Sequence, residues 1–229
     1  MHPFWGVTER RGADNWRCGP CGPEWMWKKM GDFAGQAGWR GQAVAEMPPA
    51  ALLRRHWQAL REGGPPPQRE RIVPRQLAPM LEYSLLVERA AAGAVLIRHA
   101  GLMVCAVHGL DLAGRPLSVL FEAGARLRML EAVEAVLDGL QTVEMVLHSE
   151  RGMARPPLRA RLTLLPLAGR TVADAAAIGC LELEGPAVLP PRRFRIERIL
   201  GEPLAGSPAP KPAVQRPTGG GPILAWSRP

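Results

Sequence analysis

The sequence predicts an α+β domain built on an antiparallel sheet of five strands. Three observations predict it. First, residues 142–148 and 158–165 each alternate apolar and polar side chains, and such period-two alternation marks a sheet with one packed and one wet face. Second, two further strand candidates lie before a long amphipathic helix and one lies after these two, with a turn at Ala92–Gly93 joining the first pair. Third, residues 102–120 hold only short helical turns broken by Gly109 and Gly114, too short to form an independent helical layer.

The elements follow in order. Pro48 and Pro49 precede AALLRRHWQALREGG, where Leu53, Trp57 and Leu60 repeat at i, i+4, i+7 and form one apolar helix face. Gly63 and Gly64 stop that helix and Pro65, Pro66 and Pro67 forbid its continuation. His56 lies beside the apolar face and reads as a surface histidine. Pro74 suits the first position of a short helical turn. Tyr83, Leu85 and Val87 alternate with Ser84 and Leu86, and residues 95–99 complete a hairpin. The strongest helix is 123–140, with the stripe Leu127, Leu130, Val133, Leu137 and Leu140 expected to face the core and Arg126, Arg128, Glu131, Glu134 and Asp138 expected outside. In the last three strands Val143, Met145 and Leu147, then Leu158, Ala160, Leu162 and Leu164, then Leu181 and Leu183 point one way.

The flanks differ in material. Residues 1–48 carry Trp5, Trp16, Trp25, Trp27 and Trp39, five of the seven tryptophans, at neither helical nor strand spacing. We expect a low-order extension there; Met30 and Met47 are alternative translation starts. Residues 49–200 form the expected domain. Residues 201–229 are rich in Pro and Gly, too poor in apolar mass to offset ordering entropy, and are expected to be disordered. Only Ile223, Leu224 and Trp226 offer an anchor in that tail.

Composition narrows function. The net charge is +8, and of 29 basic residues all but Lys28, Lys29 and Lys211 are arginine. With the abundance of Ala, Gly and Pro this reads as codon bias. The basic residues are scattered, which argues against nucleic acid as partner; only residues 192–198 (Arg192, Arg193, Arg195, Arg198) resemble a patch for nucleic acid or an anionic membrane, the alternative reading. No apolar run reaches the roughly 18 residues that span a bilayer, and the N-terminus lacks the order of a secretory signal, so a cytoplasmic location is expected. Cys18 and Cys21 form a C-x-x-C within RCGPCGPEW without a second pair at zinc spacing. Cys105 and Cys180 sit in apolar segments and read as small buried hydrophobes. No nucleophile elbow, phosphate loop, dinucleotide fingerprint or H-E-x-x-H occurs, so no enzyme is expected.

One stretch is more specific. Residues 98–121 read RHAGLMVCAVHGLDLAGRPLSVLF: Arg98 and Gly101 close a strand, a short helical run follows, then Gly109, Gly114, Pro116, Leu117, Leu120 and Phe121. This pattern resembles the early half of a PAS domain, in the variant of small stand-alone alphaproteobacterial proteins. The resemblance implies a five-stranded antiparallel sheet with helices across one face, a preceding W-x-x-L helix, and a sensory, signalling or protein-interaction role. It implies an apolar chamber between sheet and short helices, with Met103, Cys105, His108, Met145 and Leu162 as candidate ligand-binding residues, joined by Leu102, Val143 and Leu164, and with Arg98 and His99 as polar options. The same residues would equally serve as plain core. Haem through His108 is not predicted, nor is a flavin, since Cys105 lacks the asparagine-rich motif of the photoreceptor branch. No catalytic residue, metal or cofactor is assigned. A homodimer or a signalling protein is the expected partner, with the helix carrying Leu53 and Leu60 as the dimerising element.

Overall fold

A computed structural model describes residues 47–90, 93–150, 156–169, 174–185 and 190–204. The described residues begin with helix α1 (Pro49–Arg61) and pass through 3-10 turns at Arg69–Arg71 and Pro74–Tyr83 into the hairpin β1 (Ser84–Arg89) and β2 (Val95–Ala100). The short helix α2 (Leu102–His108), 3-10 turns at Leu117–Leu120 and Ala123–Ala125, and helix α3 (Arg126–Leu137) follow. Strands β3 (Gln141–Ser149), β4 (Leu158–Leu167), β5 (Ala176–Glu184) and β6 (Arg195–Pro203) complete it. All pair antiparallel in one sheet of order β2-β1-β5-β4-β3-β6. The α+β class and the antiparallel sheet agree with the sequence pattern; the strand count does not.

The sixth strand occupies residues read as a basic patch and as the start of the tail. Its alternation is broken for a physical reason. Leu147 pairs with Ile196 but Val146 pairs with Arg198, so Glu197 is an extra residue at a bulge. The bulge puts Ile196 and Ile199 on one face although they are three apart, and no period of two survives in the sequence. Of the four arginines read as a patch, Arg192 is buried, Arg195 pairs with Glu122 at 2.7 Å and with Glu150, and Arg193 and Arg198 are exposed.

The sheet is packed on both sides. The inner side, under α2 and α3, holds the main core: Leu85, Val87, Ile97, Val104, Phe121, Val133, Met145, Leu162 and their neighbours. A second core lies on the opposite side, where Leu53 and Trp57 of α1 meet Ile72, Leu77, Met80, Leu165, Ile178 and Cys180. The helices are thus not confined to one face. Being covered twice, β5 has no wet side over residues 176–181, which hides its first half from an alternation argument.

Helix α3 is rotated relative to the expected stripe. Met129, Ala132, Val133, Val136 and Leu137 are its buried residues, while Leu127 is 59% exposed. Its first turn is the 3-10 turn at Ala123–Ala125, so the α-helix begins only at Arg126. Arg89, at the end of β1, ties α3 to the hairpin by ion pairs to Glu134 and, at 2.7 Å, to Asp138.

Candidate interior pocket and docking face

Two close approaches set the geometry around α2. Gly101 precedes it with its backbone against the Leu81 and Glu82 carbonyls, where an added Cβ would lie 2.2 Å and 2.4 Å from their oxygens. Its N–H donates to Ser84 O at 2.8 Å, which locks the end of β2 and the start of α2 to β1. Gly109 ends α2 in the left-handed region (φ 83°), its N–H donating to Cys105 O, the usual use of glycine after a helix.

A strap of residues 190–194 closes the helical side. Because β6 lies beyond β4 and β3 from β5, the connection must cross the sheet. It does so on the inner side: Arg192 N–H donates to Val107 O at 2.8 Å, Phe194 N–H to Leu120 O at 2.8 Å, and Glu122 N–H to Phe194 O at 3.0 Å. The Arg192 side chain is 2% exposed and donates to Pro156 O at 2.9 Å. A buried guanidinium needs such partners, since an uncompensated charge in the interior costs several kcal/mol.

The five candidate ligand residues divide into two groups. Cys105, Met145 and Leu162 lie together in the main core and are almost fully buried; the Cys105 thiol faces Ala100 O at 3.7 Å. Met103 and His108 are half-buried and lie outside that core cluster. Of the others, Val143 and Leu164 join the core, and Leu102 is half-buried. Burial holds the His108 imidazole below its ordinary pKa; a hydrogen bond with the Arg192 backbone opposes this, and Arg193 and Arg115 push further down. Burial and Asp111 act in opposite senses on His99, with burial the larger, so it too sits below the ordinary value. Burial pushes the Cys180 thiol well up, Glu182 adding to it, so this sulfur stays a neutral thiol. Among the described residues no three of His, Cys, Asp and Glu come together as a metal site.

Two cavities lie away from the chamber the motif implies, and neither touches Met103, Cys105, His108, Met145 or Leu162. One, of about 10 Å³ and thus near the size of one water, lies beneath the turn Pro74–Tyr83, between Leu77, Ser84, Leu86, His99 and Ile178. The other is an open groove of about 370 Å³ between α1 and the β3–β6 half of the sheet, lined by Arg54, Gln58, Thr142, Glu144, Leu200, Gly201 and Glu202.

That groove exists because α1 covers only half of the outer face. Ala50 N–H donates to Glu182 Oε1 at 3.1 Å, and Trp57 Nε1 donates to Pro166 O at 2.8 Å, which seats α1 across β5 and β4. Arg54 reaches Glu202 on β6 at 2.9 Å. Leu53 and Trp57 are consumed in this contact, so the stripe expected to dimerise is part of the core; Leu60 is partly buried beside it. Beyond α1 the outer face remains open at Glu144, Val146, His148, Arg198 and Leu200, with Leu200 47% exposed. Of these groove and face residues, sequence reading had marked Glu144 and His148 as the wet side of β3 and counted Arg198 in a basic patch. It missed the β6 contribution because the bulge erased its signal.

The family model of the PAS domain matches residues 45–182, more than half of the chain, and the chain belongs to that family. Among solved structures it is similar to a fungal LOV domain photoreceptor, at 19% identity and TM-score 0.33, over 44% of this chain and 74% of that one. It is also similar to the LOV protein of Rhodobacter sphaeroides, at 18% identity and TM-score 0.36, over 50% of this chain and 69% of that one. No curated protein matches the chain. A PAS domain is typically a sensory or signalling module, and the fold described above is consistent with that class. No helix among the described residues is long and apolar enough to cross a membrane.

Proposed function

We propose that this PAS protein is a non-enzymatic interaction module that signals by docking a partner on the open half of its outer sheet face. The observation that carries the reading is the contrast between the two sides. Cys105, Met145 and Leu162 lie among buried side chains from sheet and helices on the inner side. The outer side leaves Leu200 exposed and Val146 half-buried beside a groove. The Cys105 thiol donates to Ala100 O among buried core side chains, so the reading assigns it no role with a flavin. His108 is half-buried outside the main core cluster that holds Cys105, Met145 and Leu162, so the reading assigns it no haem.

A small apolar ligand remains the competing form of the same function, with Met103, Cys105, His108, Met145 and Leu162 lining a chamber that opens only on repacking. Methionines make such repacking cheap. Native mass spectrometry of the purified protein separates the two. The docking reading expects the bare chain mass, with dimers or partner complexes weakened by Leu200→Glu. A stoichiometric small molecule that survives purification refutes it in favour of the chamber.

A further inference from the structure

The groove between α1 and β6 is a product of the sixth strand, and the chain itself carries a segment suited to it. β6 ends at Pro203, and Leu204 is buried in the outer core with its N–H on Leu140 O, so the tail leaves from the lower rim of the groove. The remaining residues, 205–229, contain no acidic residue, three basic ones (Lys211, Arg216, Arg228) and one compact apolar motif, Ile223-Leu224-Ala225-Trp226. Leu224 and Trp226 are two apart and present one face when extended.

We propose that this motif docks in the groove of its own chain, with Trp226 against Leu200 over the floor at Gly201. Two features support it. The volume, about 370 Å³, accepts one large aromatic side chain. The reach is ample: the linker 205–222 has a root-mean-square span of roughly 25 Å, comparable to the ~30 Å length of β6. Tethering at that distance gives an effective concentration on the order of millimolar, so a weak motif suffices. The docked tail covers the face that a partner would use, and a partner must displace it. The inference stands apart from the docking reading of function, since a free tail would leave the face open to a partner.

The test uses the full chain with Cys18→Ser and Cys21→Ser, a nitroxide on Gln58→Cys at the groove wall, and nitrogen-15 spectra of the tryptophan indoles, with Trp226 assigned through Trp226→Phe. The expected result is strong broadening of the Trp226 indole signal, unchanged on tenfold dilution and removed by Leu200→Glu. A sharp Trp226 signal overturns the proposal. So does broadening that falls on dilution, which assigns the groove to a second copy, or broadening that persists in Leu200→Glu. Should Leu200→Glu unfold the domain, Trp226→Ala in the unlabelled chain gives the same decision. The amides of Leu200 and Gly201 shift in that variant if the tail docks there and stay in place if it does not.

Discussion

Gly101→Ala tests the packing logic most directly. The backbone at Gly101 is ordinary (φ −67°, ψ 165°), so alanine pays no conformational penalty there. The penalty is steric: its Cβ would lie 2.2 Å from Leu81 O, 2.4 Å from Glu82 O and 2.5 Å from Glu82 C. Those atoms are backbone and cannot rotate away. The strand end must shift, and with it the hydrogen bond from Gly101 N–H to Ser84 O at 2.8 Å. Overpacking costs about 1–3 kcal/mol, and a lost buried hydrogen bond adds about 1 kcal/mol. The expected loss is therefore about 2–4 kcal/mol, a large part of the ~5–15 kcal/mol typical of a domain. In urea unfolding the midpoint falls with little change in slope, and the melting temperature drops by roughly 10 °C. Two alanine controls isolate the cause. Gly114 has φ 76° and open space, so Gly114→Ala costs only the left-handed strain of about 1–2 kcal/mol. Gly124 has open space and no positive φ, so Gly124→Ala is neutral or stabilising by about 0.5 kcal/mol. The reasoning is refuted if Gly101→Ala costs no more than Gly114→Ala.

Arg192→Ala removes the donor to Pro156 O and leaves a void under the strap, costing about 2–3 kcal/mol by urea unfolding; Arg192→Lys recovers little of it because an ammonium cannot reproduce the guanidinium fork. Cys105 and Cys180 are both buried, and burial raises the Cys180 pKa. Peptide mapping after a thiol reagent at pH 8 should find both unmodified in the native protein and both modified in urea. Burial lowers the pKa of His56, His99 and His108 below the ordinary 6.5. The unfolded chain then binds more protons than the folded one below that value, so their contribution to stability is complete above about pH 6.5 and declines as the pH falls through the lowered values. Urea midpoints at pH 7.5 and 5.5 should differ in that sense, and His99→Gln should narrow the difference; an unchanged difference in that variant counts against His99 as a contributor.

The order of elements, the antiparallel sheet and the inward residues of β3 and β4 were legible in the sequence, because a strand with one wet face writes its burial directly as alternation. The motif from Arg98 to Phe121 was legible because its glycines answer to backbone demands: Gly109 to a helix end, Gly101 to the close approach of the Leu81 and Glu82 carbonyls. Other features required the folded chain. The sixth strand was masked by its bulge at Glu197, and the first half of β5 by burial on both faces. The rotation of α3, which exposes Leu127 and buries Met129, is set by its packing against the sheet. The apolar stripe of α1 was visible, but its target was not: a stripe says that something must cover it, and only the tertiary structure shows that the sheet does, leaving the groove beside Leu200. Local patterns record which side of an element leaves water; the partner it meets is set by contacts between residues far apart in the chain, and the sequence of either one alone does not contain it.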